Sequence, residues 1–233
     1  MAIAFDAKAT KIDDGYDGGG SNWTWTHVCT GSNLLLVVEV ALWQDAAGTG
    51  SISGITYNSV ALTEANTELS VGMKSEIWYL VAPSTGSHSI TATVTGATDS
   101  RRFASTSFTG VLQISPLDTT AINATSSGAP SKAITTSAVN ELIVDSVSRF
   151  SDDPLTVGGS QTQIYNDDTI PNGNSWVTSL GTASYEIVTT ATSYTISWTG
   201  ASANDCAQVI ACFKPAAAST VNQGAALLTM MGA

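Results

Sequence analysis

The stretch Trp23-Thr24-Trp25-Thr26-His27-Val28-Cys29, followed by Gly31-Ser32-Asn33 and then Leu34-Leu35-Leu36-Val37-Val38-Glu39-Val40-Ala41-Leu42-Trp43, decides the fold class. Its first part alternates with period two, so Trp23, Trp25, His27 and Cys29 share one face and the hydroxyl side chains take the other. That is a strand with a core on one side only. The Gly-Ser-Asn run is a turn. The last part is almost continuously apolar, which is the pattern of a strand covered on both faces. The two kinds of strand together predict an all-β fold, a double-sheet antiparallel sandwich of jelly-roll type.

Further strands follow outward from this stretch. Ile55-Thr56-Tyr57 and Val60-Ala61-Leu62 flank Asn58-Ser59, a two-residue hairpin turn. Ser75 to Val81 runs up to Pro83, and Pro83-Ser84-Thr85-Gly86 has the composition of a β-turn. Ser89-Ile90-Thr91-Ala92-Thr93-Val94-Thr95 alternates cleanly, and Arg102 to Val111 is one more strand. Gln113 to Lys132, polar and carrying Pro116 and Pro130, reads as a long connection between two halves.

The second half repeats the first in outline. Asn140-Glu141-Leu142-Ile143-Val144-Asp145-Ser146-Val147 matches Asn33 to Val40, Tyr194 to Ala201 matches Ile90 to Ala97 down to a shared Thr-Gly-Ala, and Cys206 to Phe213 matches the strand of Phe103 and Phe108. The offset is about 104 to 107 residues. Any two β-rich halves share some pattern, but the common strand order favours a duplicated four-strand unit. Two interleaved units would make one eight-stranded jelly roll, since neither half is expected to bury its apolar faces alone; two separate small sandwiches are the alternative. The chain is therefore divided into an N-terminal arm or loop (1–20), a β-sandwich domain (21–215) and a C-terminal tail (216–233).

Composition narrows the function classes. Of 233 residues, 43% are apolar and only 12% charged, so the polar surface is built from Thr, Ser, Asn and Gly. The formal net charge is −11 with eight Lys and Arg, and Arg101-Arg102 is the only basic pair. Phosphate backbones and anionic lipid surfaces demand clustered cations, so neither nucleic acid nor membrane is an expected partner. Cys29, Cys206 and Cys212 form no CxxC and no disulfide framework, and read as small buried side chains; a single disulfide stays open at this point. No basic region followed by a long apolar run opens the chain, and no apolar run reaches the roughly 18 residues of a membrane span. Synthesis in a cytoplasm is the expectation, and a place on a virion reconciles that with a composition typical of extracellular surfaces.

Reactive constellations are sparse. His27 sits on a strand face with two Trp and reads as packing; His88, beside a turn, reads as solvated. Neither GxSxG, HExxH nor a phosphate loop occurs. Paired carboxylates for glycoside hydrolysis could come from Glu39 and Glu76 if both line one sheet face. The expectation is nonetheless a protein that is not an enzyme. Asp13, Asp14 and Asp17 offer oxygens in a Gly-rich loop, a weak Ca²⁺ site lacking the middle ligand and closing Glu of an EF-hand. Trp23, Trp25 and Trp176 lie among polar residues and could stack on a cell-surface glycan, while Trp78 and Trp198 read as core. Leu227, Leu228, Met230 and Met231 close the chain with an apolar stretch that would be a liability in water, and so read as a partner-binding arm buried in a neighbouring subunit.

Ser32-Asn33-Leu34-Leu35-Leu36-Val37-Val38, Ile55 to Thr63, Glu76-Ile77-Trp78-Tyr79-Leu80-Val81-Ala82-Pro83, Ser107-Phe108-Thr109-Gly110-Val111 and Ala211-Cys212-Phe213-Lys214-Pro215, in that order, resemble the β-sandwich domains of tailed-phage structural proteins and some bacterial surface proteins. The likeness spans residues 20–215 and rests on framework motifs. It implies a role in capsid decoration, a head fibre or a tail surface, with other virion proteins or further copies of the chain as partners, and it carries no catalytic residues with it. A carbohydrate-binding module with an aromatic face is the alternative.

Overall fold

The computed structural model describes residues 2–13, 21–44, 49–150, 155–166, 179–200 and 205–217. Every regular element among them is a β-strand, and every pairing is antiparallel. The first half holds β1 (Ala4–Asp13), β2 (Asn22–Cys29), β3 (Leu35–Gln44), β4 (Ser51–Tyr57), β5 (Val60–Ala61), β6 (Thr63–Ser70), β7 (Met73–Val81), β8 (Gly86–Thr95) and β9 (Thr98–Thr109). The second holds β10 (Leu117–Thr125), β11 (Ser131–Thr135), β12 (Leu142–Phe150), β13 (Thr156–Val157), β14 (Thr162–Asn166), β15 (Ser179–Ile187), β16 (Ser193–Thr199) and β17 (Cys206–Phe213).

The sandwich class is as expected, but there are four sheets rather than two, and the halves do not interleave. The first half forms an inner sheet β1-β9-β3-β7-β6 and an outer sheet β2-β8-β4-β5; the second forms β10-β17-β12-β15-β14 and β11-β16-β13. The inner sheets map strand for strand and the outer sheets do so apart from β5, which has no counterpart, so the duplication is one of whole sandwiches. Burial explains why. Leu36, Val38, Val40 and Leu42 of β3 pack on Ile55, Ile90 and Val94 of the first outer sheet. Leu35 and Val37, on the opposite face of β3, pack with Leu142, Val144, Val209 and Phe213 of the second inner sheet. The doubly apolar β3 and β12 are thus central strands of two inner sheets packed face to face. Neither half covers its apolar surface alone, and this back-to-back contact meets the need without interleaving.

Two further expectations change. Ala4–Asp13, expected as part of an arm, is the edge strand of the first inner sheet. Within the expected connection, Leu117–Thr125 is the equivalent edge strand of the second. Both are edge strands that leave most side chains partly exposed, so neither shows the apolar alternation that marks a buried strand.

Turn chemistry is legible residue by residue. Asn58 and Ser59 both have positive φ (47° and 64°) in the two-residue turn joining β4 to β5, the backbone of a type I′ hairpin. Asn33 (φ 51°) and Asn140 (φ 59°) take the same left-handed conformation just ahead of β3 and β12. The halves meet in reciprocal contacts: Tyr79 packs edge-on against Phe213 (centroids 5.3 Å), and Tyr185 against Phe108 (5.2 Å). Tyr79 and Tyr185 are equivalent positions, as are Phe108 and Phe213. An interface in which residue i meets j while j meets i is that of a two-fold dimer; here it is built within one chain.

Candidate functional site

A bulge in β1 lifts Asp6 out of the ladder between Phe5 and Ala7, and a bulge in β10 does the same to Asp118 between Leu117 and Thr119. Each carboxylate clasps the chain beyond the next strand or turn of its own half. Asp6 accepts hydrogen bonds from the Thr30 N–H (2.9 Å) and from the Thr30 hydroxyl. Asp118 accepts from the Ser137 N–H (2.9 Å) and hydroxyl (2.6 Å). Burial pushes both carboxyls up, but these donors outweigh it and hold both below the usual range, with Ser107 helping Asp6 and Lys214 helping Asp118.

Behind Asp6 lies a hydrogen-bonded chain whose direction follows from proton counting. Ser107 donates its single proton to Asp6 Oδ2 (2.7 Å). His27 Nε2, 3.0 Å from Ser107 Oγ, must then carry the proton and donate. Its Nδ1 is left to accept from Ser105 Oγ at 2.9 Å, and Ser105 accepts from the Trp25 indole N–H at 3.0 Å. The order is Trp25, Ser105, His27, Ser107, Asp6. Burial pulls the His27 pKa down to about 4 against the pull of Asp6, so the ring is neutral at pH 7. A neutral imidazole between two serines is the composition of a nucleophilic site, but His27, Ser105 and Ser107 are at most 1% exposed. The second half lacks the chain: Ile134 and Cys212 stand where His27 and Ser107 stand in the first.

The second half instead buries Asp145. Its carboxylate accepts from the Ser184 N–H (3.1 Å), the Ser184 hydroxyl, the Trp198 indole N–H (2.7 Å) and Gln208 Nε2 (3.1 Å). Burial still wins, and the pKa is pushed up to about 6. The corresponding ladder positions of the first half are Val38, Trp78 and Phe103, all in a single apolar cluster. In the second half the apolar core is split by this polar bridge into one cluster around Ile134, Ile143 and Ile196 and another around Val147, Leu155 and Trp198.

The structure redistributes the residues singled out in the sequence. Trp25 is not available for glycan stacking: it is 8% exposed, lies on the Phe103 ring (5.2 Å) and spends its indole N–H on Ser105. Trp23 is half-buried, with the Arg101 guanidinium 4.3 Å from its ring centroid and Lys11 Nζ at 5.5 Å, so cations already occupy its π-system. Trp176, Asp14, Asp17, Leu227, Leu228, Met230 and Met231 lie outside the described residues. Asp13 ends β1 opposite Arg101. Among the described residues no group of three His, Cys, Asp or Glu could hold a metal ion. Glu39 and Glu76 do not share a groove: Glu39 pairs with Ile77 and Glu76 with Val40, which puts them on opposite faces of the sheet. Glu76 is held by Lys74 (2.7 Å) and the Trp78 indole (2.7 Å). His88 is half-buried, edge-on to Tyr57 (5.5 Å) rather than solvated. All three cysteines are buried and free.

Asp6, Asp118 and Asp145 carry these clusters, and no motif in the sequence singles them out. The signal for the first two was faint, a lone Asp in an edge strand of each half. For Asp145 it was present: a carboxylate inside Leu142-Ile143-Val144-Asp145-Ser146-Val147, at the place of Val38 in the repeat. No family model, curated protein or solved structure matches this chain.

Proposed function

We propose that the protein is a non-catalytic structural subunit of a particle surface, a decoration, head-fibre or tail component of a phage virion that works by assembly. One observation carries the reading: among the described residues, six groups suited to acid–base or nucleophilic chemistry, His27, Cys29, Glu39, Asp145, Cys206 and Cys212, are each at most 1% exposed and built into the packing. Their role is to specify how four layers stack. The outward faces of the outer sheets carry hydroxyls instead, as in the Thr24–Thr91 pair of β2 and β8 (3.2 Å), a chemistry for contact rather than turnover. The framework resemblance supports the virion setting. The glycan-binding alternative loses Trp25 to the core.

Mass spectrometry and electron microscopy of gradient-purified particles test this reading. The expected result is a fixed copy number set by the symmetry of the shell or tail; absence from particles rejects it. Assembly through Leu227, Leu228, Met230 and Met231 is tested separately, by light scattering and particle binding of the full chain and of a chain ending at Pro215. Identical mass and binding would remove the tail from the proposal.

A further inference from the structure

Glu39 is a carboxyl buried in the contact between the two sandwiches. It follows Leu35 and Val37 on the face of β3 that meets the second half, and it is 0% exposed. Its Oε1 accepts a hydrogen bond from the Thr106 hydroxyl at 2.6 Å. Its Oε2 is buried without a hydrogen-bond partner. The contact around it is unusually close. Ser146 Oγ donates to the Val40 carbonyl (3.0 Å), Ser148 Oγ to the Leu42 carbonyl (2.8 Å) and Ser75 Oγ to the Ser146 carbonyl (2.9 Å), so hydroxyls of one inner sheet reach the backbone of the other. Ser146 occupies in the second half the position of Glu39 in the first, so a small neutral side chain is what this contact elsewhere accepts.

We propose that Glu39 is a proton-dependent lock between the sandwiches: the docked halves hold it as the neutral acid, and its ionisation loosens the face-to-face contact. A carboxylate buried with a single side-chain hydrogen bond is costly to desolvate, whereas the neutral acid carries no net charge to desolvate. The groups that face it are few. On the same side of β9 stands Arg102; β7 presents Ser75, Ile77 and Tyr79; β12 presents Val144, Ser146 and Ser148; β15 presents Ala183 and Tyr185. Asp145, beside Ser146 but on the far side of β12, adds a repelling charge. Burial, opposed by the Thr106 hydrogen bond, pushes the Glu39 pKa up to about 8, against about 4.3 for a free Glu. The docked state therefore holds a proton that the open state releases. Opening should become about tenfold more favourable per pH unit between about 5 and 8, and level off above.

Native-state hydrogen exchange of the full chain, corrected for intrinsic rates, reads this directly from the amides of β3 and β12 between pH 5.5 and 9. In the wild type, opening rises with pH and then reaches a plateau; in Glu39→Gln the same amides show a slope reduced by about one proton. Parallel slopes in the two proteins overturn the proposal. Should Glu39→Gln not fold, infrared spectra of the wild type decide: loss of a protonated-carboxyl stretch between pH 7 and 9 supports the lock, and its absence at pH 7 refutes it.

Discussion

Trp43 and Phe150 are equivalent residues of the two halves, and they touch each other, ring centroids 5.7 Å apart at 72°. A position that meets its own counterpart lies beside the axis relating the halves. The reciprocal Tyr79–Phe213 and Tyr185–Phe108 contacts lie to either side of it. The two halves of the chain are therefore related by an approximate two-fold axis, and their energetics should show that symmetry.

Phe108→Ala and Phe213→Ala test it. Both rings are 0% exposed and stand in the same cluster, so each truncation should cost about 3–5 kcal/mol by urea unfolding, and the two costs should agree closely. A double-mutant cycle on Tyr79 and Phe213 should give a coupling of about 0.5–1.5 kcal/mol. Costs that differ by more than about twofold would show that the contacts are equivalent in geometry only.

Gly181 lies at a close approach of the inner sheets. A Cβ there would lie 2.9 Å from the Ala41 Cβ, 3.0 Å from the Arg102 Cδ and 2.7 Å from the Tyr165 hydroxyl. Two of these neighbours belong to the other half, so Gly181→Ala should cost about 1–3 kcal/mol by forcing the sheets apart. Ordinarily Ala in a strand is better than Gly. A neutral or stabilising result would mean that the sheets slide past one another freely.

Much of the fold was legible in the sequence because strand periodicity reports burial directly. Leu34 to Trp43 announced a strand with both faces covered, and Asn58-Ser59 announced its turn. The sheet count was not legible: period two tells which face is buried, not whether the cover comes from the same half or the other one. Edge strands were lost for the same reason, since Ala4–Asp13 and Leu117–Thr125 face solvent along one edge and lack the pattern. At the candidate site, Trp25 and His27 were visible as one strand face, but Ser105, Ser107 and Asp6, which complete their hydrogen bonds, come from strands about 80 residues ahead and 20 behind, and nothing local links them.

Val71 is a misfit that can be corrected. It has φ 44° and precedes Gly72 at φ 82° in the turn joining β6 to β7, and it is 75% exposed. Left-handed backbone strains a β-branched residue, and Asn is the residue such turns favour. Val71→Asn should raise stability by about 0.5–1 kcal/mol, read as a higher melting temperature. A loss would show that the left-handed backbone at Val71 carries no strain that Asn relieves.

His27 and Asp145 should pull stability in opposite directions over the same pH range. His27 is held near 4 in the fold against about 6.5 free, so its contribution is complete above 6.5 and is lost as pH falls towards 4. Asp145 is held near 6 against about 3.9 free, so its contribution is complete below about 4 and is lost as pH rises towards 6. Each displacement corresponds to about 3 kcal/mol, so the two nearly cancel between pH 4 and 6. Removing either unmasks the other. His27→Gln, which can still bond both serines, should gain stability relative to wild type as pH drops from 6.5 to 4.5. Asp145→Asn, which sets an amide N–H against donors from Trp198 or Ser184, should be weaker at every pH and should lose further ground to wild type on acidification. The comparison is of slopes, from urea unfolding at four pH values, because both variants lose stability at neutral pH. If each variant's profile runs parallel to wild type, neither side chain changes its protonation on unfolding in this range, and the buried clusters then act through hydrogen-bond geometry alone.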